Sequence, residues 1–180
     1  MKYFFSIILA LSFSTSFSQK FDKTIDKLIS EHEKEVIELR HWFHENAELS
    51  NREFKTSQRI AEELTKIGLK PQTGIAKTGV VAVLKGGMPG PVVALRADID
   101  GLPVKERSNL PWASKMKGIY NGEEVPVMHA CGHDGHTAML LGAARYLAET
   151  RNFSGRVALI FQPDEEATGG AKAMVEEGII

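Results

Sequence analysis

The sequence predicts an α/β protein, an incomplete α/β/α sandwich around a mixed, largely parallel sheet. Three observations predict it. Phe21–Asn46 and the stretch through Ile60, Leu64 and Ile67 repeat apolar residues every three or four positions, the period of a helix with one buried face. Gly79–Leu84, Pro91–Asp98 and Arg156–Gln162 are instead short runs rich in β-branched residues, near-continuously apolar, as in strands covered on both faces. Helical and strand patterns then alternate towards the end of the chain, the order that lays helices over a sheet.

Taken in order, the chain begins with Lys2, an apolar run from Tyr3 to Phe13, and Ser16-Phe17-Ser18. A charged start, an apolar stretch too short to span a bilayer and small residues before the cut predict a signal peptide over residues 1–18. Residues 19–180 are then the exported portion, periplasmic or secreted. Export makes the single cysteine, Cys131, informative: it has no internal disulfide partner, so its thiol is reactive, intermolecular or metal-bound. Its distance from the leader excludes a lipoprotein anchor.

The first helix is expected to bury Ile25, Leu28, Ile29, Val36, Leu39 and Phe43. His41 and His44 near its end read as surface or packing residues. Residues 51–54 break the pattern, and a second helix stops at Gly68. Two strands follow, joined by a turn at Gly86–Gly90. Leu102–Met128 is irregular, with Pro103, Pro111 and Pro126, and Asn121-Gly122 predicts a small hairpin inside it. A buried helix carrying Met139, Leu140, Ala143, Ala144 and Leu147 precedes the strand Arg156–Gln162. Gly169-Gly170 opens another helix, and Gly178-Ile179-Ile180 runs towards a further element.

The formal net charge of -1 provides no electrostatic footprint for nucleic acid or an anionic membrane. The chemistry concentrates in HACGHDGH (His129–His136) and PDEE (Pro163–Glu166). Asp98 and Asp100, Cys131 and His133, and Glu165 and Glu166 each follow a strand-like or extended segment, where α/β sheets bind ligands. In an extended segment Cys131 and His133 share a face and can reach one zinc-like ion; the plainer reading is a structural cysteine beside an incidental histidine. Glu165 and Glu166 point apart on an extended backbone, so one can bind metal while the other sits beside an activated water, unless the pair is a solvated acidic turn. Asp98 and Asp100 either orient a ligand histidine or cap a turn and pair with Arg96. A rival chemistry makes Cys131 a nucleophile with His133 or His129 as its base.

LRHWFHENAELS (Leu39–Ser50), VVALRADIDGLPVKE (Val92–Glu106), MHACGHDGHTAMLLGAA (Met128–Ala144) and GRVALIFQPDEEATGGAKAMVEEG (Gly155–Gly178) together resemble the metal-dependent amidohydrolases of the aminoacylase type. The resemblance is to the branch of hippurate hydrolase, indole-acetyl-amino-acid hydrolase and N-acyl-amino-acid amidohydrolases. It implies a zinc-peptidase-like catalytic domain and a site for two divalent metal ions, zinc first, with manganese or cobalt as alternatives. Cys131, His133 and Glu166 are the implied ligands and Glu165 the implied general base, with Asp98, Asp100, His129 and His136 in support. The implied reaction is hydrolysis of the amide bond of small N-acyl amino acids or related amides; the alternatives are a peptidase of the same family and a non-catalytic metal-binding remnant.

Two departures from the family pattern stand out. Asp164 replaces a common alanine, read as a tolerated change. No histidine follows His136, although the family's later ligands are histidines. The sequence therefore reads as the N-terminal portion of the catalytic domain, inactive alone, without the inserted domain through which the full-length family members form homodimers.

Overall fold

The structure, a computed structural model, describes residues 23–179. The predicted leader and Ile180 lie outside them. Helix α1 spans Lys23–Glu45 and α2 spans Phe54–Lys66. The predicted stop at Gly68 takes a specific form. Gly68, at φ +80°, donates to Thr65 O at 3.0 Å and Leu69 to Leu64 O at 3.0 Å, the paired bonds that close a helix on a left-handed residue.

A four-stranded sheet contains β1 (Gln72–Ile75), β2 (Gly79–Lys85), β3 (Met88–Asp98) and β6 (Ser154–Gln162), in the order β1-β2-β6-β3. A separate hairpin joins β4 (Lys117–Tyr120) to β5 (Glu123–Pro126) through Asn121 and Gly122, both at positive φ (51° and 84°), as its Asn-Gly pair predicts. Helices α3 (His133–Thr150) and α4 (Gly170–Glu176) complete the described elements. None of the described helices is long and apolar enough to cross a membrane.

The sheet is mixed, with a smaller parallel share than the alternation of elements suggests: β3–β6 is parallel, whereas β1–β2 and β2–β6 are antiparallel. The two strands expected on either side of the Gly86–Gly90 turn do not pair with each other. Strand β6 inserts between them, antiparallel to β2 from Val80↔Phe161 to Lys85↔Arg156 and parallel to β3 from Val92↔Arg156 to Asp98↔Gln162. Adjacency in sequence says little here, because α3 carries the chain across from β3 to its parallel neighbour β6.

One face of the sheet buries Val80, Ala82, Leu84, Ala97, Val157, Leu159 and Phe161 against Leu39 and Phe43 of α1, Ile60 and Leu64 of α2, and Leu140, Leu141 and Ala144 of α3. Met174 of α4 covers part of the other face, over Val81, Ile160 and Ile75. Coverage there is incomplete: Val83 is 50% exposed and Val92 54%. The main consequence for function is positional. Strands β3 and β6 run parallel and end side by side at Asp98 and Gln162.

Candidate metal centre

Asp98 and Asp100 leave the sheet at the end of β3, and Pro163–Glu166 at the end of β6, so two of the three predicted clusters do meet at neighbouring strand ends. The third arrives differently from expectation. Strand β5 belongs to the separate hairpin, and Met128 only bridges to Leu102. Cys131 and His133 therefore do not alternate along a strand. Gly132, at φ 88°, makes a left-handed turn that caps α3, leaving Cys131 exposed before the helix and His133 buried as its first residue. Ligand atoms of Cys131, His133 and Glu166 nonetheless all lie within 4.8 Å of one another.

The orientation of His133 is fixed from behind. Its Nδ1 donates to the Asp100 carbonyl at 2.9 Å and to Asp100 Oδ1 at 3.1 Å. A carbonyl oxygen only accepts, so Nδ1 carries a proton and, in the neutral ring, the lone pair lies on Nε2. That nitrogen stands 3.6 Å from Asp98 Oδ1, 3.7 Å from Glu166 Oε1 and 3.9 Å from Glu165 Oε2. Burial disfavours the charged ring, but Asp100's hydrogen bond and the charges of Asp98 and Asp100 hold its pKa above the ordinary value.

Asp100 is 1% exposed and does more than orient the histidine. Its Oδ2 accepts from Ser50 Oγ at 2.6 Å and from the Glu166 amide at 3.0 Å. Burial by itself would raise this carboxyl's pKa. The bonds from His133, Ser50 and the Glu166 and Glu165 amides outweigh burial and lower it to about 2. One ionised carboxylate thus aligns His133 and the backbone of Glu166.

Asp98 makes the expected pair with Arg96 and also holds a histidine, His136 rather than the predicted ligand His133. Arg96 donates to its Oδ2 at 2.9 Å, while His136 Nδ1 donates to its Oδ1 at 2.7 Å. The His136 ring lies alongside His133, centroids 5.7 Å apart, and Asp98, His133 and His136 form a second cluster within ligand distance. His129 is buried, and neither ring nitrogen has a hydrogen-bond partner; burial pushes its pKa well down, so the ring is neutral.

Sequence reasoning missed several neighbours. His44, assigned to the surface or to packing, is buried and bridges two carboxylates, with Nδ1 3.0 Å from Asp134 Oδ2 and Nε2 2.9 Å from Glu106 Oε2. Arg40 Nε reaches the same Asp134 oxygen at 3.2 Å. Asp134 follows His133 directly, so this network braces the first turn of α3. Its members are the histidine, arginine and acids of three separate motifs, a coincidence of residue types that was the only available signal.

The PDEE segment also departs from expectation. Glu165 and Glu166 sit in a turn after the strand, not on extended backbone, and both carboxylates approach His133 Nε2 instead of pointing apart. Asp164 is more than a tolerated replacement. It adopts φ 53°, a region where Asp is among the better-accepted residues with a Cβ, and its carboxylate binds Thr168 through the amide at 3.1 Å and the hydroxyl.

The donor set fits a divalent cation. Glu166 Oε1 is buried without a hydrogen-bond partner, a costly arrangement for a carboxylate oxygen unless a cation faces it. Thiol, imidazole and carboxylate together match zinc's ligand preferences. Cys131 does not suit the rival role of nucleophile: its contact with the Glu166 carboxylate, slight desolvation and the charges of Glu166, Glu165 and Asp98 raise the thiol's pKa. A cysteine nucleophile needs the opposite shift, whereas a cation would reverse this one.

An α/β sheet with thiol, imidazole and carboxylates converging at its strand ends defines a metal-binding α/β domain. More particularly, residues 94–180 match the family described as Peptidase family M20/M25/M40, so the resemblance to metal-dependent amidohydrolases and peptidases stands. The chain is 47% identical over 156 residues to thermostable carboxypeptidase 2 of Saccharolobus solfataricus, covering 84% of this chain and 38% of that protein. It is 48% identical over 145 residues to hippurate hydrolase of Campylobacter jejuni, covering 81% and 36%. A Bacillus subtilis structure described as a dinuclear metal binding peptidase from the M20 family superposes with a TM-score of 0.75 at 41% identity, covering 83% of this chain and 40% of that one. The chain thus spans less than two fifths of the length of these curated relatives.

Proposed function

We propose that this chain supplies the metal-binding N-terminal part of an exported hydrolase that cleaves the amide bond of N-acyl amino acids. The observation that carries the proposal is the convergence of Cys131, His133 and Glu166 within 4.8 Å, with Glu166 Oε1 buried and unpartnered. In this reading those three residues are metal ligands, and two divalent ions, zinc foremost, complete the site with donors from outside these 180 residues. Bound there, such ions supply Lewis acidity and lower the pKa of water towards ~7.

The protein's own residues divide the remaining work. Asp100 holds the Nε2 lone pair of His133 towards the site and anchors the Glu166 amide. Glu165 has a side chain 40% exposed, so its carboxylate reaches solvent and takes the proton of the attacking water, then passes it to the leaving amine nitrogen. Arg96 and Asp98 hold His136 beside His133. A cavity of about 370 Å³ opens beside Glu166, lined by Ser50, Asn51, Arg52, Lys77 and Tyr120, large enough for a small acyl amino acid. The larger groove of about 760 Å³ between α2 and β1 contains neither ligand cluster.

The names of relatives favour one second reading, a peptidase using the same chemistry. Full-length protein dialysed against chelator, reloaded with zinc, manganese or cobalt, and assayed on N-benzoyl and N-acetyl amino acids and on dipeptides tests both. Metal-restored hydrolysis of N-acyl amino acids supports the proposal, and a preference for dipeptides supports the peptidase. Hydrolysis indifferent to chelation refutes both. Export is tested separately: residues 1–18 should be missing from protein recovered from the periplasm or medium.

A further inference from the structure

We propose that Glu53 is a positioning residue for the metal centre: its buried carboxylate holds the turn that delivers Glu165 and Glu166 to His133. The inference rests on the metal-centre reading above. Glu53 is 0% exposed and stands at the start of α2, where a carboxylate ordinarily serves the helix's free amides. It does not do so here. Glu48 takes that part, accepting from Lys55 N at 3.2 Å and from Thr56 N and Oγ1 at 2.9 and 3.0 Å. The burial of Glu53 needs another explanation, because a buried carboxylate without partners is strongly unfavourable.

Its two contacts provide one. Glu53 Oε2 accepts from Thr78 Oγ1 at 2.6 Å, and Oε1 accepts from the Asp164 amide at 2.9 Å. Thr78 lies just before β2 and Asp164 just after β6, at the end where those strands pair through Val80 and Phe161. Glu53 therefore ties the exit of β6 to the entrance of β2. Asp164 is 2% exposed and lies in the left-handed region, φ 53°, which Asp accepts better than most residues with a Cβ but which still has to be held by its surroundings.

Enforcement comes from both sides of the turn. The Asp164 carboxylate binds Thr168, and Gly170 N donates to Asp164 O at 2.9 Å. A Cβ on Gly170 would lie 2.0 Å from Pro163 O, so α4 starts directly against the turn. Glu53 braces the opposite side. The two residues that follow place their carboxylates 3.9 and 3.7 Å from His133 Nε2. Without Glu53, the Asp164 amide becomes a buried donor with no acceptor, and the turn carrying Glu165 and Glu166 relaxes.

The test uses the full-length protein, with cobalt(II) affinity measured by chelator competition and amide hydrogen exchange measured across residues 163–168. Glu53→Ala should weaken cobalt binding tenfold or more and raise exchange at Asp164. Glu53→Gln should stay within threefold of wild type, because its carbonyl still accepts from Asp164 and its amide donates to the Thr78 hydroxyl. A folded Glu53→Ala variant with a lower Tm but unchanged cobalt affinity and exchange overturns the proposal. If Glu53→Ala does not fold, Glu53→Asp decides: its carboxylate is set back by one methylene and should lose affinity, and unchanged affinity overturns the proposal. If wild type binds no cobalt, the metal-centre reading fails on its own. Exchange then decides: raised in the variant it supports the role of Glu53, and unchanged it refutes it.

Discussion

Replacing Asp100 by Asn tests whether one ionised carboxylate organises the site. Asp100 accepts from His133, Ser50 and the Glu166 amide while 1% exposed, and its pKa is lowered from 3.8 to about 2. Because the folded value is the lower one, the contribution to stability is fully present above the unfolded pKa and is lost as pH falls through the folded one. The shift corresponds to about 2 kcal/mol at pH 7, falling to about 1 kcal/mol at pH 3. Asn keeps the shape but not the charge, so Asp100→Asn should be less stable by that amount. Urea unfolding of the metal-free protein at a series of pH values between 7 and 3 measures it. The gap between wild type and variant should narrow as pH falls. A gap that stays constant, or one below about 0.5 kcal/mol at pH 7, refutes the reasoning.

Three further outcomes follow from the same geometry. Glu165→Gln should retain metal, by elemental analysis, while kcat on an N-acyl amino acid falls by about 10²–10⁴; an unchanged kcat removes Glu165 from proton transfer. Alkylation of Cys131 should be slowed by bound zinc and restored by chelator, because a coordinated thiolate is shielded; alkylation indifferent to zinc argues against ligation. Leu159→Ala, at the centre of the helix-covered face and 0% exposed, should cost about 2–5 kcal/mol in denaturant unfolding. A cost below 1 kcal/mol would place the core elsewhere.

Local periodicity made most of the elements legible. The helices around Leu39, Ile60 and Leu140, the strands through Val80, Leu95 and Leu159 and the Asn121-Gly122 hairpin all carry their own short-range signal. Strand β1 did not, being four residues with a single buried side chain, Ile75. The insertion of β6 between β2 and β3 was invisible because pairing depends on the α3 crossover, not on chain adjacency. At the site, residue types following strand-like or extended segments pointed to Cys131, His133 and the Glu165–Glu166 pair, and the family resemblance singled out Glu166 as the ligand. The supporting contacts were not readable. Glu53 meets Asp164 across 111 residues, and His44 meets Asp134 across 90 and Glu106 across 62. Each of these residues alone has the pattern of an ordinary helix-surface or loop residue. Only folding turns them into acceptors and donors for one another.

The central claim is that Cys131, His133 and Glu166 hold a divalent ion. A crystal of the full-length protein grown with zinc, with diffraction recorded on both sides of the zinc absorption edge, tests it most directly. An anomalous peak should appear between Cys131 Sγ, His133 Nε2 and the Glu166 carboxylate, at about 2.0–2.3 Å from each. No peak at that position, or a peak held by Asp98 and His136 with Cys131 left free, would contradict it.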